Sequence, residues 1–203
     1  MNINTNLKDM LIGNLLGDSH IKRVGLGKAY ITFEQSLKKK EYLEYLYNLI
    51  NNENLAFSDP KIYTRKDKRY ESINSSLYFR TKSMEEFKFL SDIFLSKTGT
   101  KIIPADISIH LNYRSLAFWI MDDGQEVKNG GVTLCTDSFT FEEVDLLKAA
   151  LESKFNILTS IHNKKGKENY YKRIYIGKSS LNQLKPLLEE HMHETMLYKI
   201  GKI

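Results

Sequence analysis

The sequence predicts an α+β fold of two pseudo-symmetric halves, residues 1–100 and 101–203, each running α-β-β-α-β-β-α. Two short apolar runs, Leu11-Ile12-Gly13-Asn14-Leu15-Leu16-Gly17-Asp18-Ser19 and Leu116-Ala117-Phe118-Trp119-Ile120-Met121-Asp122-Asp123-Gly124, both end in an acid and a small residue. Helical and strand-like segments follow each run in the same order. Local similarity supports duplication: Ile31-Thr32-Phe33-Glu34-Gln35-Ser36 matches the stretch from Val132 to Ser138, and residues 77–83 resemble residues 173–179.

The first run begins after Asn6, read as the N-cap, with apolar residues at helical spacing. Residues 21–24 and 29–35 alternate as strands, joined by the hairpin-like Gly25-Leu26-Gly27-Lys28. Tyr42, Leu43, Leu46, Leu49 and Ile50 fall on one face of a helix over 38–51. A second strand pair follows over 61–65 and 76–81. Helical spacing returns over 84–95, with Phe87, Leu90, Ile93 and Phe94 on one face.

In the second half, the second apolar run is a helix and 132–137 a strand. Residues 141–155 form a helix entered through Thr140, with Glu143 three residues on, the spacing of a capping box. Strands over 157–162 and 171–176 lead to a helix over 180–190, interrupted or kinked near Pro186, and to a last helical turn around 196–199. Strand positions often alternate basic or polar with apolar residues. Each sheet is therefore expected to bury one face under helices and to offer the other to a partner.

The 203 residues are 41% apolar and 27% charged, ordinary for a globular protein and too apolar for disorder. No apolar run approaches the roughly 20 residues that span a bilayer, and residues 1–6 resemble no targeting segment. A soluble protein that acts where it is made, with no membrane partner, is expected. Abundant Lys, Asn, Ile and Tyr, encoded by AT-rich codons, point to an AT-rich genome such as that of a mitochondrion. The single Cys135 cannot form an internal disulfide, and in an alternating run it reads as a buried structural thiol rather than a nucleophile. The net charge of +5 is modest, so its distribution matters more than its size. On a helix His191 and His193 would fall on opposing faces, and no Cys or further His lies nearby, which disfavours a metal site.

Asp18 and Asp123 are awkwardly placed, because a helix C-terminus already carries partial negative charge. The same placement twice points to two acids that meet at one metal-dependent site.

These runs and their flanks resemble the paired motifs of the LAGLIDADG homing endonucleases, of the two-motif monomeric type. The second motif, from Ser115 to Gly124, is the fuller match, and the likeness extends over residues 7–199. Ser19, Asn14 and Met121 depart from the family pattern, which has Gly, an apolar residue and Asp at those places. The resemblance implies saddle-shaped antiparallel sheets over a DNA duplex, with the two motif helices packed at the central interface. Gly13 and Gly17, four apart, then give the first helix a shallow face, and Gly124 suits a left-handed cap.

The resemblance further implies that Asp18 and Asp123 hold divalent metal, Mg²⁺ with Mn²⁺ able to substitute, which relieves the repulsion between them. Gly17 and Asp122 stand beside them as further metal candidates, although Asp122 is read as non-catalytic, about 100° round the helix from Asp123. Lys101 and Lys199 match the family's basic helpers, and Gln125 and Glu126 are within reach of the same region. DNA contacts are expected from Lys22, Arg23, Lys28, Lys61, Arg65, Arg69, Arg80 and Lys82, and from Lys164, Lys165, Lys172, Arg173 and Lys178. The implied function is site-specific hydrolysis of both strands of a long DNA target, leaving short 3′ overhangs. The alternatives are a maturase acting on host group I intron RNA and a DNA-binding regulator that does not cleave.

Overall fold

The computed structural model describes residues 3–25, 27–67, 72–166 and 170–202. The chain groups into two compact units. Among the described residues, one comprises residue 3 and residues 18–92, and the other comprises residues 4–17 and 93–202.

The first unit contains β1 (His20–Val24), β2 (Lys28–Ser36), α2 (Lys40–Asn52), β3 (Lys61–Asp67), β4 (Ser72–Arg80) and most of α3 (Lys88–Phe94). Its strands form an antiparallel sheet in the order β1-β2-β4-β3. Ala29, Ile31, Phe33 and Gln35 are the buried side chains of β2, alternating with more exposed ones as a half-buried strand requires. Phe33 and Phe79 stack with centroids 4.7 Å apart, and Tyr47 of α2 meets Phe79 edge-on. Tyr42, Leu43, Leu46 and Ile50 bury the inner face of α2.

The second unit contains α1 (Thr5–Leu16), α4 (Ile107–His110), α5 (Tyr113–Asp123), β5 (Gly124–Glu126), β6 (Val132–Leu134), α6 (Phe141–Phe155), β7 (Thr159–Lys165), β8 (Tyr170–Ile176) and α7 (Lys178–Glu189). A 3-10 segment, Glu194–Ile200, follows. Its antiparallel sheet runs β5-β6-β8-β7, the order of the first sheet repeated. The α-β-β-α-β-β-α succession thus occurs twice. Among the described residues no helix is long and apolar enough to cross a membrane.

Local details refine the expectations. α1 is capped by Asn4, whose side chain accepts from the Leu7 amide at 2.8 Å, so Asn6 lies inside the helix rather than at its cap. α6 occupies 141–155 as expected, with the reciprocal Thr140–Glu143 bonds of a capping box and a left-handed Asn156 after it. Gly124 is extended (φ −68°, ψ 136°) instead of left-handed, because the chain passes from α5 straight into β5. Glycine is needed there for space, since a Cβ would lie 2.5 Å from Ile120 O. α7 continues through Pro186, held by buried Leu181, Leu184 and Leu188 in spite of the missing amide.

The strand match between halves is displaced by one residue in β4 and β8. Phe79 lies opposite Phe33 and Ile174 opposite Leu134, so Phe79 corresponds to Ile174. A one-residue slip would exchange the two faces of the sheet.

Candidate functional site

In the second unit, α1 and α5 pack backbone to backbone. A Cβ on Gly13 would fall 2.2 Å from Ser115 O and 2.7 Å from Phe118 Cβ. One on Gly17 would fall 2.4 Å from Asp122 Cβ. Both glycines are therefore required by proximity. Asp122 fills the space Gly17 leaves open and is only 4% exposed. Its Oδ2 accepts from Asn14 Nδ2 at 3.0 Å, across 108 residues of sequence. Asn14, a departure from an apolar motif position, is thus the donor for a buried carboxylate, worth about 1.5–3 kcal/mol for a bond to a charged group.

The two motif helices stop at different motif positions, α1 at Leu16 with Gly17 as its cap and α5 at Asp123 with Gly124 as its cap, yet the residues at and after the matching carbonyls share their burial. Gly17 and Asp122 are buried, while the acids that follow them, Asp18 and Asp123, are half-buried. Lys101 Nζ donates to Gly17 O at 2.9 Å, and Lys199 Nζ donates to Asp122 O at 2.9 Å and to Met121 O. Helix C-terminal carbonyls are where a cation is favoured. Neither lysine is a solvated surface charge: Lys101 is half-buried and Lys199 is 3% exposed.

In the first unit, Asp18 precedes β1, and its Oδ2 accepts from Gln35 Nε2 at 2.8 Å. The sheet registers make Asp18 and Asp123 equivalent. His20, two residues past Asp18, faces Thr32, and Gln125, two past Asp123, faces Thr133. Asp18, His20, Glu34, Gln35, Lys38 and Arg65 help line a groove of about 680 Å³ within this unit. Gln35 was not among the expected site residues. The signal for it lies in the alternation of β2, where it is the polar residue at a buried position after Ala29, Ile31 and Phe33. Among the described residues no group of three or more His, Cys, Asp or Glu is gathered to hold a metal.

The expected DNA-contacting residues fall into two classes. Lys22, Lys61, Arg65 and Lys164 are exposed, and Arg80 is half-buried with its guanidinium 4.1 Å from the centroid of exposed Phe57. The registers put Lys22 opposite Tyr30, Arg80 opposite Thr32, Lys61 opposite Tyr78 and Arg65 opposite Asn74 on one sheet face. Others are engaged within their own unit. Arg23 donates to Ser91 O, Lys82 to Asn54 O, and Lys172 pairs with Asp145 of α6 at 2.8 Å. Lys28, Lys165 and Lys178 are exposed. Arg69 lies outside the described residues.

Arg173 is 8% exposed and binds both oxygens of Asp137, with a further bond to Gln125 Oε1 at 2.9 Å. The Arg173 hydrogen bonds hold the Asp137 carboxyl below its usual value of 3.8. A depressed carboxyl stabilises the fold above its unfolded pKa and loses that contribution as pH falls through the folded one. Arg173→Met should therefore cost about 2 kcal/mol at pH 7, less than for a fully buried pair because Asp137 is 35% exposed. The difference from the parent should shrink in urea melts taken below pH 3.8.

Cys135 is half-buried, with its amide bonded to Asp123 O at 3.1 Å. Burial pushes its thiol up, aided by Asp123 and Asp137 and opposed by Arg173, as for a structural cysteine. His193 meets Thr195 through Nδ1, and burial pushes His191 down.

Comparison with known proteins places this architecture. A model of the LAGLIDADG DNA endonuclease family matches residues 8–184. The chain is 32% identical over 206 residues to the cytochrome b mRNA maturase bI2 of Saccharomyces cerevisiae, covering 98% of this chain and 48% of that protein, about half its length. It is 30% identical over 201 residues to the probable intron-encoded endonuclease 1 of Wickerhamomyces canadensis, covering 95% of this chain and 83% of that one. The solved structure of the homing endonuclease I-WcaI bound to its DNA recognition sequence has a TM-score of 0.87 at 29% identity, over 98% of this chain and 88% of that chain. With two motif helices, two matching sheets and a family match over most of its length, the chain belongs to the LAGLIDADG DNA endonuclease family.

Proposed function

We propose that this protein is a site-specific, metal-dependent homing endonuclease that hydrolyses both strands of a long double-stranded DNA target, acting as a monomer. The observation that most supports this is the doubled helix ending, in which an acid follows a carbonyl held by a lysine.

The candidate donors, the carboxylates of Asp18 and Asp123 and the main-chain oxygens of Gly17 and Asp122, are all hard oxygens, and such a set suits Mg²⁺ or Mn²⁺. When bound, the ion supplies charge neutralisation at the scissile phosphate and a more acidic water. Asp18 and Asp123 would each supply a carboxylate to such an ion. Gln35 fixes the orientation of the Asp18 carboxylate, which leaves its other oxygen with a defined direction. Lys101 and Lys199 bring positive charge to the helix ends, where each can polarise a phosphate or the attacking water. Lys22, Lys61, Arg65, Arg80 and Lys164 would neutralise backbone phosphates, with Arg80 backed by Phe57.

Incubating the protein and Mg²⁺ with DNA that spans the junction of the host gene's flanking exons tests this. Cleavage of both strands with short 3′ overhangs, abolished by EDTA, is expected. Intact DNA over a range of junction sequences would overturn it. The likeness to bI2 favours a second reading, maturation of host intron RNA in a mitochondrion. Splicing of that RNA by purified protein without DNA cleavage would establish that reading instead.

A further inference from the structure

Neither motif helix has a basic residue in its own last turn. A lysine from 77 to 84 residues away supplies the charge to each, Lys101 to α1 and Lys199 to α5. Gly17 has no side-chain donor, so a cation could take only its main-chain oxygen. The Asp122 carboxylate is buried and bonded to Asn14, so its main-chain oxygen is again the donor it presents toward the helix end. These two oxygens are the ones the lysines hold, each at 2.9 Å.

An ammonium and a divalent ion seek the same hard oxygen and repel each other at close range. A lysine stem of four methylenes can swing away from an oxygen without disturbing the backbone. We propose that the ammonium groups of Lys101 and Lys199 are built-in counter-ions that hold the main-chain oxygens of Gly17 and Asp122 until a divalent cation takes those places. Lysine and metal therefore compete. This rests on the metal-dependent reading above and adds to it a metal-free state in which the chain supplies its own cations. Loading the metal then frees each ammonium to meet the charge of a bound phosphate.

The test is Mn²⁺ binding by the full chain without DNA, read from loss of the free-ion electron paramagnetic resonance signal. Lys101→Met is the main variant, because Lys101 is half-buried and its replacement is better tolerated than that of Lys199. It should bind Mn²⁺ roughly tenfold more tightly than the parent, a usual size for coupling between two ligands. Its melting temperature should lie below the parent's without divalent ion, and the deficit should close as Mn²⁺ is added. Lys101→Arg keeps the charge and should keep the parent's affinity.

Equal or weaker Mn²⁺ binding by Lys101→Met, or a melting deficit that Mn²⁺ does not reduce, overturns the proposal. Asp18→Asn separates the two levels. Parent binding that Asp18→Asn loses and Lys101→Met does not strengthen removes the competition alone. Parent binding no stronger than that of Asp18→Asn removes the metal reading, and the competition with it.

Discussion

Asp123→Asn, and separately Asp18→Asn, should bind target DNA at least as well as the parent and cleave both strands about 10³-fold more slowly or worse. Each substitution removes one negative charge and almost no volume. The phosphates of the duplex are repelled by a carboxylate, so binding holds or improves at low salt. Catalysis responds in the opposite sense. An amide oxygen is a far weaker donor to a hard cation than a carboxylate, and a lost electrostatic contact at a reacting phosphate commonly costs two to three orders of magnitude. Asp18 and Asp123 are half-buried at equivalent positions and each follows a lysine-held carbonyl, so the two variants should behave alike. Gel-shift affinity together with single-turnover cleavage of a labelled duplex separates the two effects. Full double-strand cleavage by both variants would rule out the mechanism.

Gly13→Ala should destabilise the protein by about 3 kcal/mol, the upper part of the range for an overpacked core. In an isolated helix the same change would help by nearly 1 kcal/mol, because alanine is the better helix former. Here the new methyl would stand 2.2 Å from Ser115 O, a backbone atom, so α1 and α5 must separate. For a chain of this size the loss corresponds to roughly 10 °C in melting temperature. Gly17→Ala meets the Asp122 side chain at 2.4 Å and would push that carboxylate off Asn14. Gly25→Ala is the control, since nothing lies within 4 Å of its added methyl. Scanning calorimetry of the three variants should rank Gly25→Ala beside the parent and Gly13→Ala lowest. A Gly13→Ala protein that melts with the parent would refute the close packing.

What could be read in the sequence was what repeats or obeys local rules. α6 was legible residue by residue because a capping box starts it and apolar positions keep its period. The acids were legible because they occur twice in the same setting. β5 was not, since Gly-Gln-Glu has no alternation and becomes a strand only by pairing with β6. Asn4, not Asn6, caps α1 because the cap is decided by which side chain reaches the Leu7 amide, and both asparagines offer the same chemistry.

The roles of Asn14 and Gln35 depend on contacts 108 and 17 residues away, which no local pattern encodes. The resemblance singled out Lys199 as a basic helper, but its burial shows only once the carbonyls that receive it are in place. Arg173 and Lys172 have the composition of phosphate contacts, yet their geometry ties them to Asp137 and Asp145.

The contact between Gly17 and Asp122 bears on how far the two halves have grown apart. These residues occupy the same place in their respective motifs and face each other. A pair made of two α5 helices would set two buried carboxylates against one another, with no glycine to make room and no Asn14 to bond them. Self-association through the second motif is thereby penalised. A chimera that keeps α5 must bring a partner helix with a glycine and a hydrogen-bond donor one turn apart.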